Sequence, residues 1–201
     1  KAVDLASGDL ILFCDATNVL PDNFLIDALG FFEDPSIASV SGRINNHKSI
    51  TGTVSRWRGR HLFKETISYD SDSIPVSNLT TYGTLMRRDS IEKAGNFDAR
   101  LRHSEDQDLG HRLLEAGYKL LGVPSLVTYS IRKDTISSVL ERYWRWNGGI
   151  EQRMNAIGYI KAIKASFKPM AQEDLKSWDL SSALVSLACP HFGYLRAKYN
   201  E

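Results

Sequence analysis

Asp9-Leu-Ile-Leu-Phe-Cys14 carries a short, unbroken apolar run that begins just after the turn signal Ser7-Gly8 and stops at a carboxylate, Asp15. A run of this length without polar alternation suits a strand covered on both faces, as in a mostly parallel sheet. It also fixes where Asp15 belongs. The end of such a strand is the edge of an open α/β sheet at which ligands bind. Pro21 then opens a helix with Phe24, Leu25, Ala28, Leu29 and Phe32 on one face, Asp34-Pro35 closes it, and Ile37 to Ile44 alternates weakly as a second strand. Strand, helix and strand in that order make a crossover unit, so the expected fold class is α/β.

The same reading extends along the chain. Thr80 to Met86 suits a third strand. Asp89-Ser-Ile-Glu92 and Ser104-Glu-Asp-Gln107 have the spacing of capping boxes, with Gly95 and Gly117 as stops for the helices they open. Leu120 to Tyr129 holds one or two short strands around Pro124, and Ile136, Val139, Leu140, Tyr143 and Trp144 recur at helical spacing. From about Tyr159 the chain is expected to be helical, with a break at Lys168-Pro169. Thr53 to Tyr69 reads as a helix dense in base, with Arg56, Arg58, Arg60, His61 and Lys64, for which a solvated face is the plain explanation. Ser68 to Ser77 is polar and Ser/Thr-rich, and reads as a loop.

Composition narrows the function classes. A net charge of +1 lacks the basic excess of a dedicated nucleic-acid binder. No apolar run approaches the ~20 residues that span a bilayer. Cys14 and Cys189 make no disulfide framework, and Cys14, within the apolar run, is expected to be a buried thiol. These features suggest a reduced, cytoplasmic protein, with the inner face of a membrane as a further place of action. Lys1 to Ala6 reads as the end of a helix feeding directly into a strand, so a fragment of a longer unit is expected.

Three segments could carry chemistry. Asp15 at a strand end can hold a divalent ion that neutralises a diphosphate, or simply cap a turn. Glu105, Asp106 and Asp108 crowd one helix start, where the dipole favours acids by roughly 0.3–1 kcal/mol, yet three exceed what capping needs. Tyr143-Trp144-Arg145-Trp146-Asn147-Gly148-Gly149 is aromatic-dense: Tyr143 and Trp144 fit a core-facing stripe, while Arg145 and Trp146 fall on another face, where they can pair with phosphate and stack on a sugar. The histidines at 47, 61, 103, 111 and 191 have no zinc-ligand spacing.

Taken in order, Ala6-Ser-Gly-Asp-Leu-Ile-Leu-Phe-Cys-Asp15, Gly83-Thr-Leu-Met-Arg-Arg88, Ala94-Gly-Asn-Phe-Asp98, Ser104-Glu-Asp-Gln-Asp-Leu109, Arg112, Glu115-Ala-Gly-Tyr118 and Arg145-Trp146 resemble the family 2 glycosyltransferases of the GT-A fold. The resemblance implies a mixed, mostly parallel sheet flanked by helices over residues 1–157, lacking the family's amino-terminal nucleotide-binding half, with a helical tail over 158–201. It implies sugar transfer from a nucleotide-diphosphate donor, a UDP-sugar favoured, to a hydroxyl of a glycan or lipid-linked saccharide with inversion. Asp106, beside Glu105, takes the place of the catalytic base. Asp15, Thr17 and Arg145 take the donor side, and Trp146, Gly83 and Thr84 the acceptor side. A divalent cation, Mn or Mg, would be held by Asp15. The family's Asp-x-Asp reads Asp15-Ala16-Thr17 here, the glutamine of Gln-x-x-Arg-Trp is Arg142, and Val127-Thr-Tyr-Ser130 lacks a late metal-binding histidine, so two metal ligands are replaced. Partners implied are the nucleotide sugar and the glycan or lipid-linked acceptor, with no nucleic acid and a possible peripheral membrane contact. As supplied, the chain is expected to turn over poorly alone. Two alternatives stand beside this reading: a GT-A-like domain that only binds a sugar or a partner, and a haloacid-dehalogenase-type phosphatase with Asp15 as nucleophile.

Overall fold

A computed structural model describes residues 2–101, 103–147 and 155–199. It divides into two compact units, a sheet unit of Lys1–His47 and Ile67–Ile131 and a helical unit of Lys48–Thr66 and Arg132–Glu201. The strands are β1 (Leu10–Phe13), β2 (Asn18–Val19), β3 (Ile37–Asn46), β4 (Ile74–Pro75), β5 (Thr84–Arg87) and β6 (Lys119–Ser130). The helices are α1 (Ala2–Leu5), α2 (Phe24–Leu29), α3 (Thr53–His61), α4 (Arg88–Lys93), α5 (Glu105–Glu115), α6 (Ile136–Trp146), α7 (Ala156–Ala165), α8 (Gln172–Lys176) and α9 (Leu180–Tyr199). The helical carboxyl-terminal region expected after residue 157 is present, in one unit with 48–66 and 132–157.

The sheet is mixed and runs β1-β5-β3-β6-β2, with β4 also on β6. It is not mostly parallel by pairing. Among the described residues only β3 and β6 pair in parallel, while β1/β5, β3/β5, β2/β6 and β4/β6 are antiparallel. The reason is that β5 enters between β1 and β3, so these two run the same way without touching. This order also leaves β1 at the end of the path, and its four residues are only half-buried rather than covered on both faces. Cys14 lies past the end of β1 and is exposed, contrary to the expected buried thiol.

Alternation along the inner strands sorts side chains into two apolar layers. Ala38, Met86 and Leu120 pack with Ile91 of α4 and Leu109 and Leu113 of α5. Ile37, Val40, Leu85, Leu121 and Val123 pack with Phe24 and Ala28 of α2. Leu25 and Leu29, expected on that same face, are exposed, because α2 is short and passes into a tighter turn at Gly30–Glu33. β6 is a single strand rather than two, and it accommodates Pro124 by a register slip against β3 between the Gly42/Val123 and Arg43/Val127 pairs. A proline cannot donate to a ladder, and a bulge is where a strand tolerates it. The displaced backbone crowds β3: a Cβ on Gly42 would stand 2.5 Å from the Leu126 carbonyl oxygen, so residue 42 has room only for glycine.

Neither expected capping box forms. Ser104 sits in the left-handed region at φ 60°, and its side chain caps nothing. A box needs an extended N-cap to aim the hydroxyl at the first turn. Asp89 is already inside α4, which starts at Arg88, and it pairs with Lys93 instead. A box does form at α6, where it joins Thr135 and Ser138.

In the helical unit the basic helix α3 is not a solvated face. Arg58 is fully buried and His61 nearly so. Acids from elsewhere in the unit meet them. Asp134, its side chain 1% exposed, binds Arg58, Arg142 and Arg132. Asp174 accepts hydrogen bonds from Arg60, from His61 Nε2 (2.8 Å) and from Ser186 Oγ (2.6 Å), and Trp57 Nε1 donates to Ser186 Oγ at 2.8 Å. Asp179 is gripped by Arg56 in a fork, 2.8 and 3.1 Å, which holds its carboxyl far below the usual range. Trp57, Val139, Leu140, Met170, Val185 and Cys189 form the apolar core beside these pairs, and burial pushes the Cys189 thiol up to about 12.

Removing one partner of a buried pair strands the other charge. Asp134→Ala should therefore lower unfolding stability by about 3–5 kcal/mol, whereas Arg132→Ala, at a half-exposed partner of the same carboxylate, should cost no more than about 1 kcal/mol. Denaturant midpoints of the two variants check the ranking.

Candidate active site

The end of β1 defines the site. Phe13 pairs with Thr84, so the first residues beyond β1 stand beside the start of β5. The Asp15 carbonyl accepts the Asn18 amide at 2.9 Å and closes a turn. Asn18 Nδ2 donates to the Tyr82 carbonyl at 2.7 Å, and Ile131 N donates to the Thr17 carbonyl at 2.9 Å. Asn18 and Val19 complete the clamp by pairing with Ser130 and Tyr129 at the end of β6. Backbone and amide bonds thus fix this turn on two sides, leaving the Asp15 side chain exposed and Thr17 half-buried.

Glu105 and Asp106 come to the same edge on the first turn of α5. Leu109 and Leu113 anchor the helix in the sheet core. Arg112 ties it to the preceding loop, bonding the Ala94 carbonyl and gripping Asp108 at 2.6 and 3.1 Å. That loop is shaped by Gly95 at φ 86° and Asn96 at φ 63°, and Phe97 packs on Phe13 with ring centroids 5.5 Å apart. The segment Ala94 to Asp98 and Arg112 therefore position the acidic turn.

Asp106 is half-buried, and its Oδ1 accepts the Gln107 amide at 2.9 Å. Burial lifts its carboxyl above the usual range, and the charges of Glu105 and Asp15 lift it further. That Asp15 is among the causes means that two acids about ninety residues apart in sequence share one electrostatic site. A carboxylate so placed is a stronger base than a solvated one, while Glu105 and Asp15, exposed, supply charge. Tyr82 is a member of this site that the sequence reading missed. Burial raises its phenol, with Tyr69 and Asp106 adding to the effect. Its only signal was its place directly before Gly83. Asn18 was likewise missed, although it lies in the same segment as Asp15.

Gly83 and Thr84, expected on the acceptor side, are buried. A Cβ on Gly83 would lie 2.0 Å from Thr128 Oγ1, so glycine is required there for β6 to pass. The Thr84 and Thr128 hydroxyls are both buried without a hydrogen-bond partner. In the helical unit, Arg145 is exposed, Trp146 is 54% exposed with the Arg142 guanidinium 5.8 Å from its ring, and Trp144 turns to the core, the division of faces expected. Gly148 and Gly149 lie outside the described residues.

Among the described residues, no three or more His, Cys, Asp or Glu side chains gather into a metal cage. The donors at the Asp15 turn are one exposed carboxylate and the Thr17 hydroxyl. Such a set suits a hard divalent ion that takes one or two protein oxygens and completes its shell with substrate phosphates and water.

A mixed sheet flanked by helices thus carries acids from a strand end and a helix start at one edge. The family described as Glycosyltransferase like family 2 matches residues 1–149, and the chain belongs to that family. The pre-mycofactocin glycosyltransferases of Mycobacterium tuberculosis strains CDC 1551 / Oshkosh and ATCC 25618 / H37Rv are each 30% identical to it over 128 residues. That match takes in 62% of this chain and 27% of theirs, so the chain spans about a quarter of the curated relatives' length. A crystal structure of GalNAc-T7 with UDP, GalNAc and Mn2+ aligns over 92% of this chain and 40% of that one, with a TM-score of 0.49 and 12% identity.

Two outcomes follow from the site geometry. Since the folded state raises the Asp106 pKa, it binds that proton more tightly than the unfolded chain does, and the ionised carboxylate lowers stability as pH climbs through the folded pKa. Asp106→Asn should thus raise the melting temperature at neutral pH but not in acid, and Asp15→Asn should bring the Asp106 carboxyl pKa down in a carbon-detected NMR titration. Gly83→Ala should cost about 1–3 kcal/mol through overpacking, and Thr128→Ala in the same chain should recover most of that loss in a denaturant series.

Proposed function

We propose that this chain contributes the catalytic carboxylates of an inverting glycosyltransferase that moves a sugar from a nucleoside-diphosphate donor, a UDP-sugar, to a hydroxyl of a glycan or lipid-linked saccharide. The observation that carries the reading is the pairing of a half-buried Asp106 of raised pKa with the exposed Asp15 at one sheet edge. Asp106 takes the proton of the acceptor hydroxyl. The acceptor oxygen bonds to the anomeric carbon from the face opposite the departing group, and the electrons of the breaking bond leave with the nucleoside diphosphate. Glu105 keeps Asp106 basic through its charge. Asp15, with Thr17 beside it, would hold a Mn or Mg ion that, when bound, neutralises the diphosphate.

Arg145 serves the donor phosphates and Trp146 stacks against the acceptor sugar. Gly83 and Thr84 act from within the sheet, shaping the acceptor side rather than touching it. The work is assigned to the cytoplasm, at the inner face of a membrane when the acceptor is lipid-linked. Among the described residues no helix is long and apolar enough to cross a membrane.

Sugar transfer by the complete protein, followed as release of nucleoside diphosphate, should fall by at least about a hundredfold in Asp106→Asn. Binding of UDP with manganese, read as a melting shift against GDP and CDP, should survive in that variant and weaken in Asp15→Asn. Undiminished turnover in Asp106→Asn would remove the base assignment. A wild-type protein that binds a sugar nucleotide but never cleaves it would favour a binding domain instead.

A further inference from the structure

The segment from Ala156 to Lys168 holds three lysines and no acid. Its helix, α7, buries no residue at all. Asn155 caps its start through Oδ1, accepting the Gly158 amide at 2.8 Å. Tyr159 fastens it to α9, with its hydroxyl 2.6 Å from His191 Nδ1 and its ring 4.8 Å from that of Tyr194. The apolar residues elsewhere on the helix stay partly or largely exposed. Ile157 is 67% exposed, Ile160 54%, Ile163 38%, and Phe167 just beyond the helix 47%. At 100° per residue, Ile160 and Ile163 lie between the edge held by Tyr159 and an outer edge that carries Lys161, Lys164 and Ile157, and Phe167 and Lys168 follow just past the helix end. Packing of these residues into their own unit, the ordinary fate of such side chains, is incomplete: Ile157 and Ile160 keep more than half of their surface exposed. The lysines are exposed and form no ion pair among the described residues.

We propose that α7 and Phe167 form a docking surface for an anionic lipid bilayer, with the isoleucine and phenylalanine side chains entering the headgroup–acyl boundary and Lys161, Lys164 and Lys168 meeting lipid phosphates. The charge is what selects this occupant. A patch made for an apolar groove of another protein has no need of a one-signed flank, whereas three unpaired ammonium groups beside an exposed apolar stripe complement a negatively charged surface. Long lysine stems also let the charge sit at the headgroups while the helix axis lies deeper. The helix is long enough for a surface contact and far too short to span. The proposal stands independently of the sugar-transfer reading, since it uses none of the residues assigned to that site.

Co-sedimentation of the chain with vesicles tests it directly. Binding is expected to phosphatidylcholine vesicles containing phosphatidylglycerol and not to phosphatidylcholine alone, and it should weaken as salt is raised. Replacing Lys161, Lys164 and Lys168 together by glutamate should reduce binding by on the order of a hundredfold, at roughly fivefold per lysine from charge loss alone. Ile160→Asp should reduce it by roughly tenfold or more while the lysines remain. All these positions are exposed, so melting temperatures should stay at the parent value, which separates lost docking from lost folding. Failure to bind anionic vesicles would overturn the proposal. So would equal binding by Ile160→Asp, which would mean charge adsorption without insertion. A concentration-dependent dimer in sedimentation velocity that Ile160→Asp abolishes, with no vesicle binding by the parent, would assign the face to a second copy of the chain instead.

Discussion

Two carboxylates that repel each other, Asp15 and Asp106, are held at one sheet edge, and the fold around them is arranged to make that placement unavoidable. Neither could choose the position through its own contacts. The Asp15 turn is locked by backbone pairing to β6 and by the Asn18 amide on the Tyr82 carbonyl. The first turn of α5 is locked by Leu109 and Leu113 beneath it and by Arg112 behind it. Apolar burial and ladder hydrogen bonds thus offset an electrostatic cost that solvent would otherwise relieve. The raised Asp106 carboxyl is the visible result, with burial as its largest cause and its acidic neighbours adding to it.

The two units are stabilised in different ways. In the sheet unit, period-two alternation on β3, β5 and β6 gives each helix layer its own apolar surface, with small buried serines and threonines on the same strands. The helical unit instead spends buried polar groups freely. Asp134 and Asp174 have no exposed carboxylate surface to speak of, and each is surrounded by donors from several helices. Burial alone would push Asp134 upward, yet Arg142 and Arg58 outweigh it and keep the carboxyl below its usual range. The stability from that pairing is therefore present at neutral pH and fades as pH falls through the folded pKa. Such pairs are weak as net stabilisers but strong as specifiers of register, because any other docking of α3 would strand a charge.

Legibility followed the same division. The strand before Asp15, the crossover into β3, the helices after Ser104 and Thr135, and the division of Trp144 from Trp146 could be read because apolar periodicity is a local property. The pairing pattern could not: β5 entering antiparallel between β1 and β3 is a choice of topology, invisible to a strand-by-strand reading, and it left β1 at the end of the path and half-buried. The basic helix misled for a related reason. Arg56, Arg58, Arg60 and His61 look solvated until partners in residues 132–182 are known, and sequence spacing says nothing of such distant acids. The failed capping boxes show a subtler limit. Ser104 has the right residue three positions before Gln107, but its left-handed backbone, set by the loop from Ala94, turns the hydroxyl away.

For the site, the sequence located the acids but not their coupling. Spacing placed Asp15 at a strand end and Asp106 at a helix start, while their proximity depends on the order β1-β5-β3-β6, in which the layer beneath α5 spans β5, β3 and β6. Gly83 shows how a motif residue can be required for a reason other than ligand contact. Its missing side chain leaves room for Thr128, whose hydroxyl, like that of Thr84, is buried without a partner. Two buried hydroxyls without a partner are a cost to the sheet. They lie near where β5 begins, beside the turn that presents Asp15. Valine at either position would fill nearly the same volume without a hydroxyl to leave unpaired, so packing alone does not account for the two threonines.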